Sequence, residues 1–394
     1  MMQPLHFRLA LARPRKGCGH YTRGLLVGFV VLCLSLSASG QSRETLRAGD
    51  AAEKAEAAGN VGRALDLYAK ALASNPQWTD GWWKDGRLLY QEHRFPEAGQ
   101  AFGRLIRLAP RNPLGFALLG LCEYEEADWD NAVLHLNKAL NLGGLPPDIA
   151  QATEYHLALV LMRQGNHGGA LFTLNVLFCQ APDYPGLKLA LGAAELHLKE
   201  PPMLTSAEFA AVDAAGAAAF AVLQRRPDDA EKGYRDLLTR FPNQPFAHLS
   251  FGLFLESQNR EDEAEKEFTA ETKLSPTSAA PWLWLARVAL ARLNSEAARS
   301  YAAHARELDP NDSLSFLIEG RSLMLAQQWE SALVPLRVAE ERAPQSAEVH
   351  YALASVYGEL HRKPEADKER QLFLQASQTA DALNRDTLNQ GVNP

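Results

Sequence analysis

Nine histidines lie beyond residue 40, and they are the side chains best suited to metal binding or proton transfer: His93, His135, His156, His167, His197, His248, His304, His350 and His361. Metal chemistry needs ligands brought together by spacing, as in His-Glu-x-x-His or a Cys/His cluster, and no such run occurs. Gly-x-Ser-x-Gly, a glycine-rich phosphate loop and a dinucleotide fingerprint are absent as well. The histidines therefore read as helix-surface or packed residues. The acidic pairs Glu125/Glu126 and Asp228/Asp229 read as solvated turns and helix starts, where the helix dipole favours negative charge. Cys122 and Cys179 sit in apolar, helical surroundings and read as buried free thiols, a disulfide between them being the alternative in an exported chain. The chemistry-bearing residues thus predict no catalytic site, no cofactor and no metal.

What positions these residues is a repeat. An alanine recurs with a proline twelve residues after it: Ala64/Pro76, Ala98/Pro110, Ala170/Pro182, Ala230/Pro242, Ala264/Pro276, Ala298/Pro310 and Ala332/Pro344. Within each block the step is 34 residues, which is the length of a stacked helical hairpin. The second unit shows the grammar, with Trp82, Gly86 and Leu89 on a first helix, Ala98, Phe102 and Leu105 on a second, and Pro110 at its end. Small residues let two helices approach closely and large ones fill the gaps between them. Proline ends the hairpin because it lacks an N–H and clashes with a continuing helix.

This pattern resembles the tetratricopeptide repeat. It places units at 45–78, 79–112, 113–146, 151–184, 211–244, 245–278, 279–312, 313–346 and 347–380. The resemblance implies an all-α solenoid, a right-handed superhelix of antiparallel helix pairs with about nine repeats and one degenerate unit. It also implies that first helices line a concave face where a protein or peptide binds. On that face should lie Trp83, Arg87 and Tyr90, then Leu121 with Tyr124, then Tyr155 with Leu159 and Met162. Further along come Leu249, Leu253 and Glu256, then Leu283, Arg287 and Leu290, then Leu317, Arg321 and Met324, then Tyr351 and Ser355. The predicted contacts are Trp83, Arg87, Tyr90, Leu121, Tyr124, Tyr155, Arg287, Arg321 and Tyr351. Aromatic anchoring is concentrated in the N-terminal block, and the C-terminal block contributes shape. The Lys/Asn/Arg clamp that the family's best-known peptide binders use is absent, so an apolar or amphipathic segment is the expected partner. For any one of these residues, packing against a neighbouring first helix is the alternative.

The period breaks twice. Gly143-Gly144-Leu145-Pro146-Pro147 adds a loop. In 185–210 a first helix lacks its second, and Pro201-Pro202 stops the chain where that helix should begin. The reading is an N-terminal block (45–184), a degenerate junction (185–210) that either packs continuously or serves as a hinge, a C-terminal block (211–380) and a disordered tail (385–394).

Residues 1–40 carry five basic residues and no acid, followed by the apolar run Leu25–Leu36 and the small residues Ala38-Ser39-Gly40. That order predicts a secretory signal cleaved before Gln41, or an uncleaved anchor, the only route by which this chain would meet a membrane. The expected location is periplasmic or extracellular. Without the segment, 35 basic residues face 47 acidic ones, and a chain that acidic repels nucleic acid. The sequence predicts an exported, non-enzymatic scaffold or adaptor. The alternative is an accessory subunit of a cell-envelope assembly, export or polysaccharide machine.

Overall fold

The computed structural model describes the backbone of residues 43–390 and the side chains of residues 47–378; the expected signal segment and residues 391–394 lie outside the described residues. Among the described residues there are nineteen helices and no strand. Contacts divide the described residues into two compact units that part between Val160 and Leu161. The first holds α1 (Arg43–Ala57), α2 (Val61–Ser74), α3 (Thr79–Gln91), α4 (Phe95–Leu108), α5 (Pro113–Glu125), α6 (Trp129–Leu142) and most of α7 (Pro147–Arg163). The second holds α8 (His167–Gln180), α9 (Leu187–Glu195), α10 (Phe209–Leu223), α11 (Pro227–Arg240), α12 (Ala247–Ser257) and α13 (Glu261–Leu274). It continues with α14 (Ala280–Ala291), α15 (Ser295–Leu308), α16 (Ser313–Leu325), α17 (Trp329–Arg342), α18 (Ala347–Glu359) and α19 (Lys363–Gln390).

Each hairpin is built from the same parts. The repeat-marking Ala64, Ala98, Ala132, Ala170, Ala230, Ala264, Ala298 and Ala332 are all fully buried where second helices meet their neighbours. In four hairpins a first-helix glycine faces the large residue sixteen positions later: Gly86 with Phe102, Gly120 with Leu136, Gly252 with Phe268, and Gly320 with Leu336. A Cβ at Gly252 would lie 2.5 Å from the Phe268 ring, so glycine is what lets the two helices close. The turn between the two helices is equally regular. The residue five before each alanine has positive φ, from Gly59 through His93, Arg225, Asn259 and Leu293 to His361. Asn60, Asn112, Asp128, Asn166, Asn294, Asp312 and Ser346 then accept a backbone N–H at the starts of their helices. The closing prolines have a second use: the Pro76 carbonyl accepts from Trp82 Nε1 at 2.9 Å, and the Pro344 carbonyl faces His350 Nε2 at 3.0 Å.

The 185–210 break lies inside the second unit. His197 still adopts the left-handed turn (φ 54°) that precedes every second helix, but Pro201-Pro202 follow and no helix forms before α10. α10 packs against α9 instead. The two meet backbone to backbone: a Cβ at Gly192 would sit 2.0 Å from the Val212 carbonyl oxygen, and one at Gly216 2.1 Å from that of Lys188. α9 is also tied to α12, where Ser250 Oγ donates to the Glu195 carbonyl at 2.9 Å. At the start of α12 the Glu271 carboxylate accepts from the amides of Phe246 (2.7 Å) and Leu249 (3.1 Å) and from Ser275 Oγ (2.5 Å). That buried carboxylate satisfies a helix N-terminus which begins on a phenylalanine with φ 67°.

Two details depart from the sequence reading. α19 runs on to Gln390, into the tail expected to be disordered. The ninth repeat has no closing proline, and no Gly or Pro follows Pro364 before Gly391. Cys122 is buried as expected, and burial pushes its thiol pKa up, but Cys179 is exposed, beyond the last buried position of α8 at Leu177.

Candidate binding groove

In the first unit, α3, α5 and α7 carry the predicted aromatic stripe. Its members are half-buried and engaged with one another or with core residues. Trp83 packs on Phe102, ring centroids 6.0 Å apart, and Tyr90 meets Phe95 edge-on at 5.4 Å. Tyr124 and Tyr155 are brought together by His156, which stands edge-on to both at 4.9 and 5.7 Å. His156 Nδ1 donates to the Ala152 carbonyl at 2.7 Å, and burial holds the ring's pKa below its ordinary value, so it is a neutral spacer. Burial also pushes the phenol of Tyr155 up to about 12. Arg87 is bound by Glu56 and by Gln91 Oε1. Leu121, only 4% exposed, faces the core, as do Leu159 and Met162. Sequence reasoning missed His156, Glu56 and Trp129, which meets Tyr124 at 5.6 Å.

In the second unit, α14, α16 and α18 stand side by side, and the three remaining predicted residues converge there. Arg287 and Arg321, one repeat apart, line a depression of about 190 Å³ with Trp284, Leu317 and Glu348. A second depression of about 510 Å³ adjoins it, lined by Leu290, Leu293, Met324, Leu325, Trp329 and Tyr351. Leu290, Ala291 and Arg321 border both, so the two form one trough. The Arg287 guanidinium lies 4.7 Å over the Trp284 ring, and Arg321 reaches Glu348 at 3.7 Å. Tyr351 is 61% exposed with one face near Phe373 (5.7 Å), and Leu293, at the lip, is 72% exposed. The sequence reading placed Leu290 and Met324 on this face but missed Leu293, a turn residue outside the first-helix stripe. The trough offers apolar surface with two arginines, Arg287 and Arg321, and four carboxylates, Glu256, Glu261, Glu348 and Glu359.

The tetratricopeptide repeat family model matches residues 50–113, 84–149 and 221–279. These segments are tetratricopeptide repeats. The hairpins of α14–α19 continue the tetratricopeptide period beyond the last match, with Ala298, Ala332 and Ala366 at the expected step. Among solved structures, the chain is similar to MamA, at 16% identity over 42% of this chain and 96% of that one, with a TM-score of 0.38. It is similar to a tetratricopeptide repeat protein from Parabacteroides merdae ATCC 43184, at 12% identity over 72% and 100%, with a TM-score of 0.35. It is also similar to MamA 41-end from Desulfovibrio magneticus RS-1, at 16% identity over 44% and 96%, TM-score 0.37. No curated protein matches its sequence.

Proposed function

We propose that this tetratricopeptide protein is a non-enzymatic scaffold that receives an apolar or amphipathic segment of a partner protein in the α14–α16–α18 trough. The observation that carries this reading is Leu293. A leucine held at φ 57° costs about 1 kcal/mol relative to glycine, and its side chain is exposed. Other turns fill the position with Gly, Ala, Asn, Gln, His or Arg, and none with another large apolar side chain. Nothing in the fold rewards leucine there, whereas an apolar lip beside Tyr351 and Leu325 rewards it when a partner covers the trough. The half-buried aromatics of the first unit are engaged by Phe102, Phe95, Trp129 and His156, so anchoring falls to this trough.

Peptides selected from a displayed random library against the full chain test the proposal. The double variant Leu293→Asn with Tyr351→Ala should weaken the selected peptides at least about 30-fold, roughly 2 kcal/mol, at unchanged helicity. Peptides that bind the double variant as before, and are lost in Trp83→Ala with Tyr124→Ala, would move the site to the first unit.

Export is part of the same proposal, supported by the basic, apolar, small-residue order of residues 1–40. Mass spectrometry of the protein from producing cells should find a chain beginning at Gln41. A chain retaining Leu25–Leu36 in the membrane fraction would make the segment an anchor.

A further inference from the structure

Three consecutive helices at the end of the second unit bring together residues that no motif links. Glu340 comes from α17, His350 from α18 and Glu369 from α19, and one ligand atom of each lies within 4.8 Å of the other two. His350 and Glu369 are 2% and 3% exposed, and Glu340 is half-buried. The imidazole's orientation is set by its outer nitrogen. Nε2 faces the Pro344 carbonyl at 3.0 Å, and a carbonyl can only accept, so Nε2 carries a proton. That leaves Nδ1 turned toward the carboxylates, 2.7 Å from Glu369 Oε2. A ring N–H held by a backbone carbonyl, with the other nitrogen aimed at acidic oxygens, is how metal-ligating histidines are oriented.

The chain supplies its own comparison. Three repeats earlier, His248 and Glu267 occupy the same two positions and meet at 2.6 Å, but the position matching Glu340 is Leu238. The histidine–glutamate pair is therefore a recurring contact between the helices of a hairpin, and at the ninth repeat the preceding helix α17 adds a second carboxylate, Glu340. A protonated imidazole balances one carboxylate. With two, the carboxylates outnumber the imidazole in a mostly dry site, and the Lys368 ammonium 3.7 Å from Glu369 is itself exposed. A divalent ion with a neutral imidazole and two carboxylates is neutral overall.

We propose that Glu340, His350 Nδ1 and Glu369 bind one zinc-type divalent cation. One nitrogen and two carboxylate oxygens suit zinc, with water in the fourth position. Ligands at about 2.0–2.1 Å in tetrahedral geometry stand about 3.3 Å apart, so binding needs a small rotation of the Glu369 carboxylate away from Nδ1. The ion would fasten α19 to α17 and α18.

Chelator-treated full-length protein titrated with zinc chloride at pH 7.5 should take up one equivalent and melt several degrees higher. Cobalt(II) in its place should give the visible absorption of a tetrahedral site. Glu340→Gln, which leaves the His350–Glu369 contact intact, should lower zinc affinity at least about tenfold without changing the apo melting temperature by more than a degree or so. His350→Gln should abolish uptake, and His248→Gln should leave it unchanged. No uptake by the wild type, or equal affinity in Glu340→Gln, would overturn the site and leave His350–Glu369 as an ion pair like its counterpart three repeats before.

Discussion

Gly192→Ala should destabilise the protein by about 3 kcal/mol or more, beyond the roughly 1–3 kcal/mol of ordinary overpacking. The added methyl would sit 2.0 Å from the Val212 carbonyl oxygen and 2.6 Å from the Gly216 amide nitrogen, both backbone atoms of α10. A side chain can turn away from such a collision, but a helix backbone must move whole. Gly252→Ala is the control, because its methyl meets the Phe268 ring, which can shift at smaller cost. Urea denaturation of the two variants should rank Gly192→Ala clearly the more damaging. A Gly192→Ala protein with wild-type stability would mean that α9 and α10 do not meet at their backbones, and that the break in the repeat is not closed by this contact.

Much of the fold was legible because repetition makes each inference many times over. One alanine at a helix crossing says little; a run of three and a run of four, each at a 34-residue step, leave few other structures. The failures fall where the period stops. Pro201-Pro202 announced that a second helix was missing, but only the structure shows α10 in its place, since nothing local in Phe209–Leu223 says which neighbour its glycine faces. The groove was harder to read. First-helix spacing put Arg287, Arg321 and Tyr351 on one face, and they do line one trough, yet it treated half-buried Trp83 and Tyr124 like exposed Tyr351, because spacing gives a direction and not a degree of burial. Leu293 escaped because its significance lies in its backbone angle. The Glu340–His350–Glu369 cluster escaped because its members are ten and nineteen residues apart on three helices, a spacing no motif describes.

Acid should unfold the second unit earlier than carboxylate protonation alone would bring about. His197 lies between His167 and Phe246, with ring centroids 4.4 and 4.0 Å away and the planes within 14° and 19° of parallel. Burial, and to a lesser extent the nearby His167, hold the His197 pKa down at about 3, and burial also lowers that of His167. A histidine whose folded pKa lies below its unfolded value of 6.5 stabilises the fold fully above 6.5, where both states are neutral. That stability drains away as the pH falls from 6.5 toward 3, because the unfolded chain takes up a proton that the stacked ring refuses. Each such group contributes a slope of up to about 1.4 kcal/mol per pH unit. Glu195, two residues away, works in the opposite direction: burial raises its pKa, so acid relieves the cost of its charge. His197→Phe keeps an aromatic ring in the stack and removes one titrating group without touching Glu195. Between pH 6 and 5, above the range of the ion-paired carboxylates, unfolding free energy should fall less steeply in His197→Phe than in the wild type. The difference should approach 1 kcal/mol per pH unit. Parallel slopes would mean that His197 is protonated in the folded protein, and the three rings could not then be stacked as a neutral column.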